Sequence, residues 1–274
     1  MHELLLQKGK NPMELGLRNK SIVVTAASGG LGFSIAKMFV EEGANVCLSG
    51  RNPERIDDAV RRLGELSLGN VKGYVCDVTN PSQSTEMIND IATNFGLDVL
   101  VANSPGAATA PFLEMTDDMW RDAAEAKVFA QIRLAREAFG IMKSSGKGGR
   151  ILFMAGTHGR QPHAHAITAG FSNASLQNIS KALSEEGGPY NILCNAINPG
   201  PFATERMVYL AEEKSRDDNI SLDEATAILT AETVLKRYGK PEELAAAVVF
   251  LASDKATYIT GAAFDIDGGQ VKAL

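Results

Sequence analysis

The segment SIVVTAASGGLGFSIAKMFVEEG, residues 21–43, contains the pattern that decides the fold. Its first six residues are mostly apolar and β-branched, which predicts a short buried strand. The glycine-rich stretch TAASGGLG, residues 25–32, overlaps the end of that strand, and LGFSIAKMFVEEG then carries apolar residues at helical spacing. This order predicts a strand that passes through a tight turn directly into a helix.

The same alternation continues along the rest of the chain. Further strand-like runs are ANVCLSG, NVKGYVCDV, LDVLVAN, GRILFMA, NILCNAINPG and AAFDID, and helical patterns separate them. Two helices are expected to begin at Asn-Pro pairs, and longer ones are expected over 116–143 and 167–186. Such alternation predicts an α/β fold with one doubly wound, mainly parallel sheet of about seven strands, covered by helices on both faces.

The chain is expected to form a single domain over residues 1–274, because no low-complexity linker, internal repeat or second core is evident. Residues 1–14 are interpreted as an N-terminal extension. Residues 203–238 are polar and helical in pattern. They are expected to form an insertion that covers the substrate at the carboxyl edge of the sheet.

Composition excludes several classes of protein. The net charge of −6 argues against nucleic acid or an anionic membrane as the main partner. No apolar run is long enough to span a membrane, and the three leucines near the N-terminus are too few for a signal peptide, so a cytoplasmic location is expected. The three cysteines lie in apolar, strand-like runs, which predicts buried free thiols.

The glycine-rich turn predicts a nucleotide site. Glycines let the backbone approach a pyrophosphate closely, and the N-terminus of the following helix offers free N–H groups with a partial positive charge. An ordinary strand-to-helix turn is the alternative interpretation. The position of the turn directly after the first strand favours nucleotide binding.

Three strand ends support that interpretation. The second strand ends in SGRN without an acidic residue, and Arg51 suits a 2′-phosphate, so NADP(H) is favoured over NAD(H). A solvated charge at a helix start is the alternative role for Arg51. Asp77 follows the third strand, where it can accept a hydrogen bond from an adenine amino group, and Asn103 follows the fourth.

Together these motifs resemble the short-chain dehydrogenase/reductase family, in particular its members similar to 3-oxoacyl-acyl-carrier-protein reductases. The resemblance spans roughly residues 15–272 and includes TAASGGLG, CDVTNP, LDVLVAN, DDMW, NPGPFAT, GKPEELAAAVVFLAS and YITGAAFDIDGG. It implies a Rossmann-type fold, a small-molecule substrate and a homodimer or homotetramer. It also implies cofactor contacts at Ser28, Gly30, Leu31, Arg51, Asp77, Val78, Asn103, Pro199, Gly200 and Thr204.

Two departures from the family pattern lie beside the cofactor. Ala26 stands where the family has glycine, which adds one methyl group and is expected to be a small change. Pro105, within SPG at residues 104–106, removes one N–H and is expected to stiffen that loop.

The family's four catalytic residues are all replaced. The resemblance aligns Ala169 with the tyrosine, Asn173 with the lysine, Gly156 with the serine and Lys127 with the asparagine. In the family the lysine ammonium lowers the pKa of the tyrosine, whose phenol exchanges a proton with the substrate oxygen. Alanine and glycine have no side-chain proton donor, so this chemistry cannot run at these positions.

The segment GTHGRQPHAHAITAGFSNASL, residues 156–176, offers substitutes. His158, His163 and His165 cluster there, and imidazole exchanges protons near neutral pH. Thr157 offers a hydroxyl for oxygen binding, and Lys127 can polarise an oxygen if it points inward. The competing interpretations are solvated loop histidines and a structural or surface lysine. Tyr209 offers a phenol from the covering segment or simply packs there, and no metal site is expected.

Three functions fit these observations. The first is an NADP(H)-dependent oxidoreductase for a carbonyl or alcohol, in which a histidine or solvent gives the proton. The second is a non-redox lyase, isomerase or dehydratase with a histidine base. The third is a nucleotide-binding protein without catalysis. The first is favoured by the resemblance of the cofactor half.

Overall fold

The computed structural model describes residues 13–106 and 110–273. Its strands are β1 (Ser21–Val24), β2 (Asn45–Gly50), β3 (Val71–Val75), β4 (Val99–Ala102), β5 (Gly149–Met154), β6 (Ile192–Pro199) and β7 (Ala263–Ile266). Within the described residues they form one seven-stranded parallel sheet in the order β3-β2-β1-β4-β5-β6-β7. The predicted doubly wound sheet is therefore confirmed.

Helices cover both faces of this sheet. They are α1 (Gly30–Glu41), α2 (Pro53–Gly64), α3 (Pro81–Phe95), α4 (Asp117–Ala123), α5 (Ala130–Ser145), α6 (Ile167–Gly187), α7 (Glu205–Asp217), α8 (Leu222–Leu229) and α9 (Pro241–Ala252). One apolar core joins α1, α2 and α9 to the sheet, and a second joins α3, α5 and α6 to its other face. The chain reverses its winding direction between β3 and β4, because β4 pairs with β1. That reversal opens a crevice at the carboxyl ends of the strands.

Both predicted Asn-Pro helix starts are confirmed, and their geometry explains them. The Asn52 and Asn80 side chains accept hydrogen bonds from the N–H groups of Arg55 and Gln83, at 2.9 and 3.2 Å. A proline occupies the first position of each helix, where no N–H is required.

The long helix predicted over 116–143 is present, but its middle departs from α-helical geometry. The chain begins α4 after a Thr116 cap, passes through a π-helical turn over Ala124–Phe129 and continues as α5. A π-helical turn accommodates an extra residue, so it changes the direction in which the side chains point. Lys127 lies in this turn.

The segment 203–238 leaves and rejoins the domain at one place. Phe202 and Gly239 form a parallel bridge, and the Ala203 N–H donates to the Gly239 carbonyl at 2.8 Å. Helices α7 and α8 lie between these points. This arrangement agrees with an insertion, and its role as a substrate cover stays a prediction. The expected N-terminal extension falls almost wholly outside the described residues.

The three cysteines are buried free thiols, as expected. Burial is the main cause that raises the pKa of Cys47 and Cys76 to about 11, and that of Cys194 to about 12. These thiols are consequently neutral and inert at physiological pH. Across 13–106 and 110–273, no helix has the length and apolar character that a membrane crossing requires.

Candidate active site

A cleft of about 460 Å³ lies at the carboxyl ends of β1 to β4. Seven of the ten predicted cofactor contacts line it: Ser28, Gly30, Arg51, Asp77, Val78, Asn103 and Thr204. The other three lie outside this lining. Leu31 packs on the apolar core, Pro199 ends β6, and the Gly200 N–H donates to the Ile266 carbonyl at 3.0 Å.

The glycine-rich turn has the geometry of a cradle for a phosphate. A Cβ atom at Gly32 would lie 2.7 Å from the Ala26 carbonyl oxygen, and one at Gly29 would lie 2.7 Å from Arg55 Nη2. Gly30 adopts a φ of +55°, which favours glycine. Helix α1 begins here with no side-chain cap, so its first N–H groups are available to an anion. The turn therefore fits a pyrophosphate.

Ala26 is strained, which the sequence did not predict. Its φ is +47°, in the left-handed region where a Cβ atom collides with the backbone. The expectation that alanine here is a small change is therefore wrong, because the cost lies in the backbone conformation and not in the volume of the methyl group.

Two polar residues at the cleft are held in place by threonines. The Asn103 N–H donates to Thr25 Oγ1 at 2.9 Å, and Thr25 Oγ1 donates to the Asn103 carbonyl at 2.6 Å. Asp77 Oδ1 accepts from the N–H and the hydroxyl of Thr79, at 3.0 and 2.8 Å. The Asn103 backbone and the Asp77 carboxylate are thus fixed before any ligand binds, and Asn103 Nδ2 donates to the Ala26 carbonyl at 3.3 Å.

Arg51 is exposed and lines the cleft, as a residue for a 2′-phosphate must. The structure adds Arg55 and Arg206, which sequence analysis missed. Arg55 lies over the glycine-rich turn and forms a long ion pair with Glu205, at 3.5 Å. Its position in the first turn of the helix after β2 was the available signal. Nothing in the sequence near Arg206 indicated a contact with this cleft.

The positions aligned with the four catalytic residues do converge in space. A Cβ atom at Gly156 would lie 2.6 Å from Asn173 Nδ2, so the end of β5 touches α6 there. Lys127 Nζ donates to the carbonyl oxygen of Ala155 at 2.7 Å. Ala169 lies in the first turn of α6, one turn before Asn173. The π-helical turn, the end of β5 and α6 therefore meet at one point.

Lys127 is half-buried, and its side chain points inward to the backbone that follows β5. Burial lowers the pKa of Lys127 to about 8. The charged form is disfavoured because the interior solvates an ammonium poorly. Lys127 can consequently exchange protons near neutral pH.

His158 and His163 border a small cavity of their own and are not among the residues that line the cleft. His158 occupies a 3-10 turn over Thr157–Gly159, and its ring centroid is 6.1 Å from that of His163. Both rings border a small cavity with Glu232 and Gln270. Thr157 is buried beside the same cavity.

Of the two other predicted donors, His165 can be placed only in part. His165 belongs to a 3-10 turn, but its side chain lies outside the described part of the chain. Tyr209 Oη donates to Glu213 Oε1 at 2.6 Å, and this hydrogen bond is the main cause that raises the pKa of the phenol.

A polar network fixes the loop after β5. Arg160 Nη1 lies 2.6 Å from Asp265 Oδ2, and Asn198 Nδ2 donates to Asp265 Oδ1 at 2.7 Å. Gln177 Nε2 donates to Asn198 Oδ1 at 2.9 Å and to the Gly156 carbonyl at 3.1 Å. The network ties this loop to β6, β7 and α6.

Comparison with known proteins gives a consistent relationship. Residues 25–270 match the family described as enoyl-(acyl carrier protein) reductase. Tropinone reductase-like 3 from Erythroxylum coca is 34% identical over 257 residues, which cover 93% of this chain and 94% of the relative. The NADPH-dependent reductase BacG from Bacillus subtilis is 30% identical over 263 residues, covering 94% and 100%.

A solved structure is similar over nearly the whole chain. It is L-sorbose reductase from Gluconobacter frateurii in complex with NADPH and L-sorbose, which superposes with a TM-score of 0.91 at 33% identity, covering 96% of this chain and 100% of that one. The family match, the sheet order and the glycine-rich cleft agree. The chain belongs to the short-chain dehydrogenase/reductase family.

Proposed function

We propose that this protein is an NADP(H)-dependent oxidoreductase that interconverts a small-molecule carbonyl and its alcohol without the family's tyrosine and lysine. NADP(H) is the cofactor. The observation that carries the proposal is the glycine-rich cleft with Arg51 at its rim. The similar structure of L-sorbose reductase holds NADPH, which supports the same cofactor here.

Different residues of the cleft bind different parts of the cofactor. The glycine-rich turn and the N-terminus of α1 receive the pyrophosphate, while Arg51 receives the 2′-phosphate and Arg55 adds positive charge beside it. The oriented Asp77 carboxylate accepts from the adenine amino group, and Asn103 lies deeper in the same cleft. When bound, the cofactor supplies the hydride.

The chemistry at the substrate oxygen must differ from that of the family. Ala169 and Gly156 have no side-chain proton donor. His158, on the loop after β5, or solvent gives the proton in reduction. Hydride transfer depends chiefly on placement of the cofactor, so an altered proton donor slows the reaction without abolishing it.

The first test is a titration of the protein with NADPH and with NADH, followed by cofactor fluorescence. We expect tight binding that prefers NADPH. Turnover is then measured with L-sorbose, tropinone and a 3-oxoacyl thioester as carbonyl probes, by loss of the reduced nicotinamide absorbance. Absence of binding by both cofactors would overturn the oxidoreductase function.

The histidine donor is tested separately with His158→Gln. A large loss of turnover with unchanged NADPH binding would assign the proton to the imidazole. Unchanged turnover would assign it to solvent or to another group. His163→Gln tests the neighbouring imidazole of the same cavity in the same way.

The loss of the tyrosine and lysine also supports a non-redox enzyme or a binding protein on the same fold. Conversion of a probe without any change in nicotinamide absorbance would favour the former. Cofactor binding without conversion of any of the probes would favour the latter.

A further inference from the structure

Lys127 is a titratable group at the point where the π-helical turn, the end of β5 and α6 meet. Its side chain is held in the π-helical turn Ala124–Phe129, and its Nζ donates to the carbonyl oxygen of Ala155 at 2.7 Å. An ammonium has three N–H donors, and this contact accounts for one of them. A half-buried ammonium with donors left over is costly to the fold unless those donors find partners.

A buried acceptor lies close to the same point. The Asn173 side chain is 3% exposed, and its Oδ1 has no hydrogen-bond partner among the described residues. A Cβ atom at Gly156 would lie 3.3 Å from that oxygen, so Asn173 faces the space beside Gly156. Ala155, which accepts from Lys127, is the preceding residue. The unused donors and the unused acceptor therefore border one small region at the end of β5.

The charged groups of the surrounding described elements are paired with other residues, exposed or distant, so none of them forms an ion pair with the Lys127 ammonium. In its own turn, Glu125 pairs with Arg133 of α5, and in α4 Arg121 pairs with Asp117 and Asp118. Asp122 is exposed, and the ionisable residues of α6 lie two turns or more beyond Asn173. On the loop after β5, His158 borders the cavity that also contains His163. Burial is the cause that lowers the pKa of Lys127.

We propose that the Lys127 ammonium is the proton donor to the substrate oxygen in carbonyl reduction, and that the Asn173 carboxamide holds the ammonium or an intervening water. The inference rests on the proposed function and replaces its histidine with a named group. Relative to the family's pattern, lysine and asparagine have exchanged places between the π-helical turn and α6.

The step balances without a further reactant. As the carbonyl carbon receives a hydride, the electron pair of the C=O bond moves to the oxygen, which takes a proton from the ammonium. One N–H bond breaks and one O–H bond forms. The neutral amine then recovers its proton from solvent, and alcohol oxidation runs the same steps in reverse.

Two substitutions separate proton donation from positive charge. Lys127→Met removes both, while Lys127→Arg keeps a charge that does not release its proton. We expect both variants to lose about 10²- to 10⁴-fold in kcat for the carbonyl probe that the wild type reduces, the range of a lost general acid. Their affinity for NADPH should stay within about twofold, because Lys127 is not among the residues that line the cofactor cleft.

Lys143→Met is the matched control, since Lys143 is exposed on α5 and lies against the Tyr190 ring. It should turn over like the wild type. Retention of activity by Lys127→Arg would overturn proton donation in favour of electrostatic stabilisation. Retention by Lys127→Met would overturn any role of Lys127 in the reaction.

A readout without cofactor or substrate completes the test. Lysines carrying ¹³C-methyl labels are titrated by NMR, and the signal missing from Lys127→Met identifies Lys127. We expect it to titrate near pH 8, well below the others, and Asn173→Leu to move it. Titration with the other lysines would overturn the inference. Wild-type protein that reduces none of the probes would overturn the proposed function and the inference together, whereas active wild type with active Lys127→Met overturns the inference alone.

Discussion

Gly156 and Asn173 are packed so closely that a Cβ atom at residue 156 would lie 2.6 Å from Asn173 Nδ2. The absence of a side chain at Gly156 is therefore a requirement of the present packing. A serine at this position requires the buried carboxamide of Asn173 to move, because that group occupies the space beside it.

The first prediction concerns this pair. Gly156→Ser should lower the free energy of unfolding by about 1–3 kcal/mol, the usual cost of overpacking. Adding Asn173→Ala should recover part of that loss. Gly140→Ala is the control: no heavy atom lies within 4 Å of its Cβ position, and it is in the middle of α5, so it should be neutral or stabilising. Urea denaturation measures all four proteins, and equal stability of Gly156→Ser and wild type would contradict the packing argument.

Ala26 provides a second prediction. Its φ of +47° costs about 1–2 kcal/mol in an L-residue, while glycine loses up to about 1 kcal/mol more entropy on folding. Ala26→Gly should therefore stabilise the protein by about 0.5–1 kcal/mol. Ala246→Gly, on the exposed face of α9, should instead destabilise it by about 1 kcal/mol. Denaturation midpoints that move in the same direction for both variants would refute the strain.

These two features could not be predicted from the sequence, whereas the fold and the cofactor cleft could. The strands, the sheet edge and the positions of Arg51, Asp77 and Asn103 could be predicted because strand alternation fixes which ends meet. The φ of Ala26 and the Gly156–Asn173 contact depend on backbone geometry and on packing between distant segments. Neither feature can be predicted from the local spacing of apolar residues.

The surroundings of the candidate catalytic groups could not be predicted, for a related reason. The histidines are conspicuous in the sequence, but their spacing does not reveal that His158 and His163 border a small cavity separate from the lining of the cofactor cleft. The inward direction of Lys127 depends on a π-helical turn, which apolar spacing in a continuous helix does not reveal. The homo-oligomer and the cytoplasmic location stay predictions.

Arg51 tests the choice of cofactor. Arg51→Ser removes the exposed guanidinium at the rim of the cleft and should weaken NADPH binding about 10- to 100-fold, the value of one or two hydrogen bonds to a charged group. NADH binding should hardly change, because NADH has no 2′-phosphate. Arg61→Ser is the control, since that residue lies on α2 outside the cleft lining and pairs with Asp58 and Glu65. Parallel losses of NADPH and NADH affinity in Arg51→Ser would refute the role.

The ion pair between Arg160 and Asp265 is predicted to hold the loop after β5. Both side chains are less than one-third exposed, and Asp265 also accepts from Asn198. Asp265→Ala should destabilise the protein by about 1–3 kcal/mol, because it leaves a partly buried guanidinium and an amide without their acceptor. Hydrogen exchange should quicken in residues 156–161. Asp218→Ala removes an ion pair of the same 2.6 Å length at a more exposed site and should change stability by less than about 0.5 kcal/mol.

Lys127 should lower the free energy of unfolding, and the size of this effect depends on pH. Burial lowers its folded pKa from 10.5 to about 8, so the folded state holds its proton less tightly than the unfolded chain does. Above pH 10.5 the amine is neutral in both states and there is no penalty. As the pH falls from 10.5 to 8 the unfolded chain takes up the proton first, and the penalty grows until it levels off below pH 8.

Lys127→Met should therefore gain stability relative to wild type as the pH falls from 10.5 to 8, by more than about 1 kcal/mol. The substitution also removes the hydrogen bond to Ala155, which changes the stability difference by the same amount at every pH. The pH dependence of that difference is therefore the diagnostic feature. Urea denaturation at several pH values, with Lys143→Met as the control, measures the difference. A pH-independent difference would mean that Lys127 is solvated in the folded protein. A variant that is more stable yet far less active would show that the buried ammonium is retained for the reaction and not for the fold.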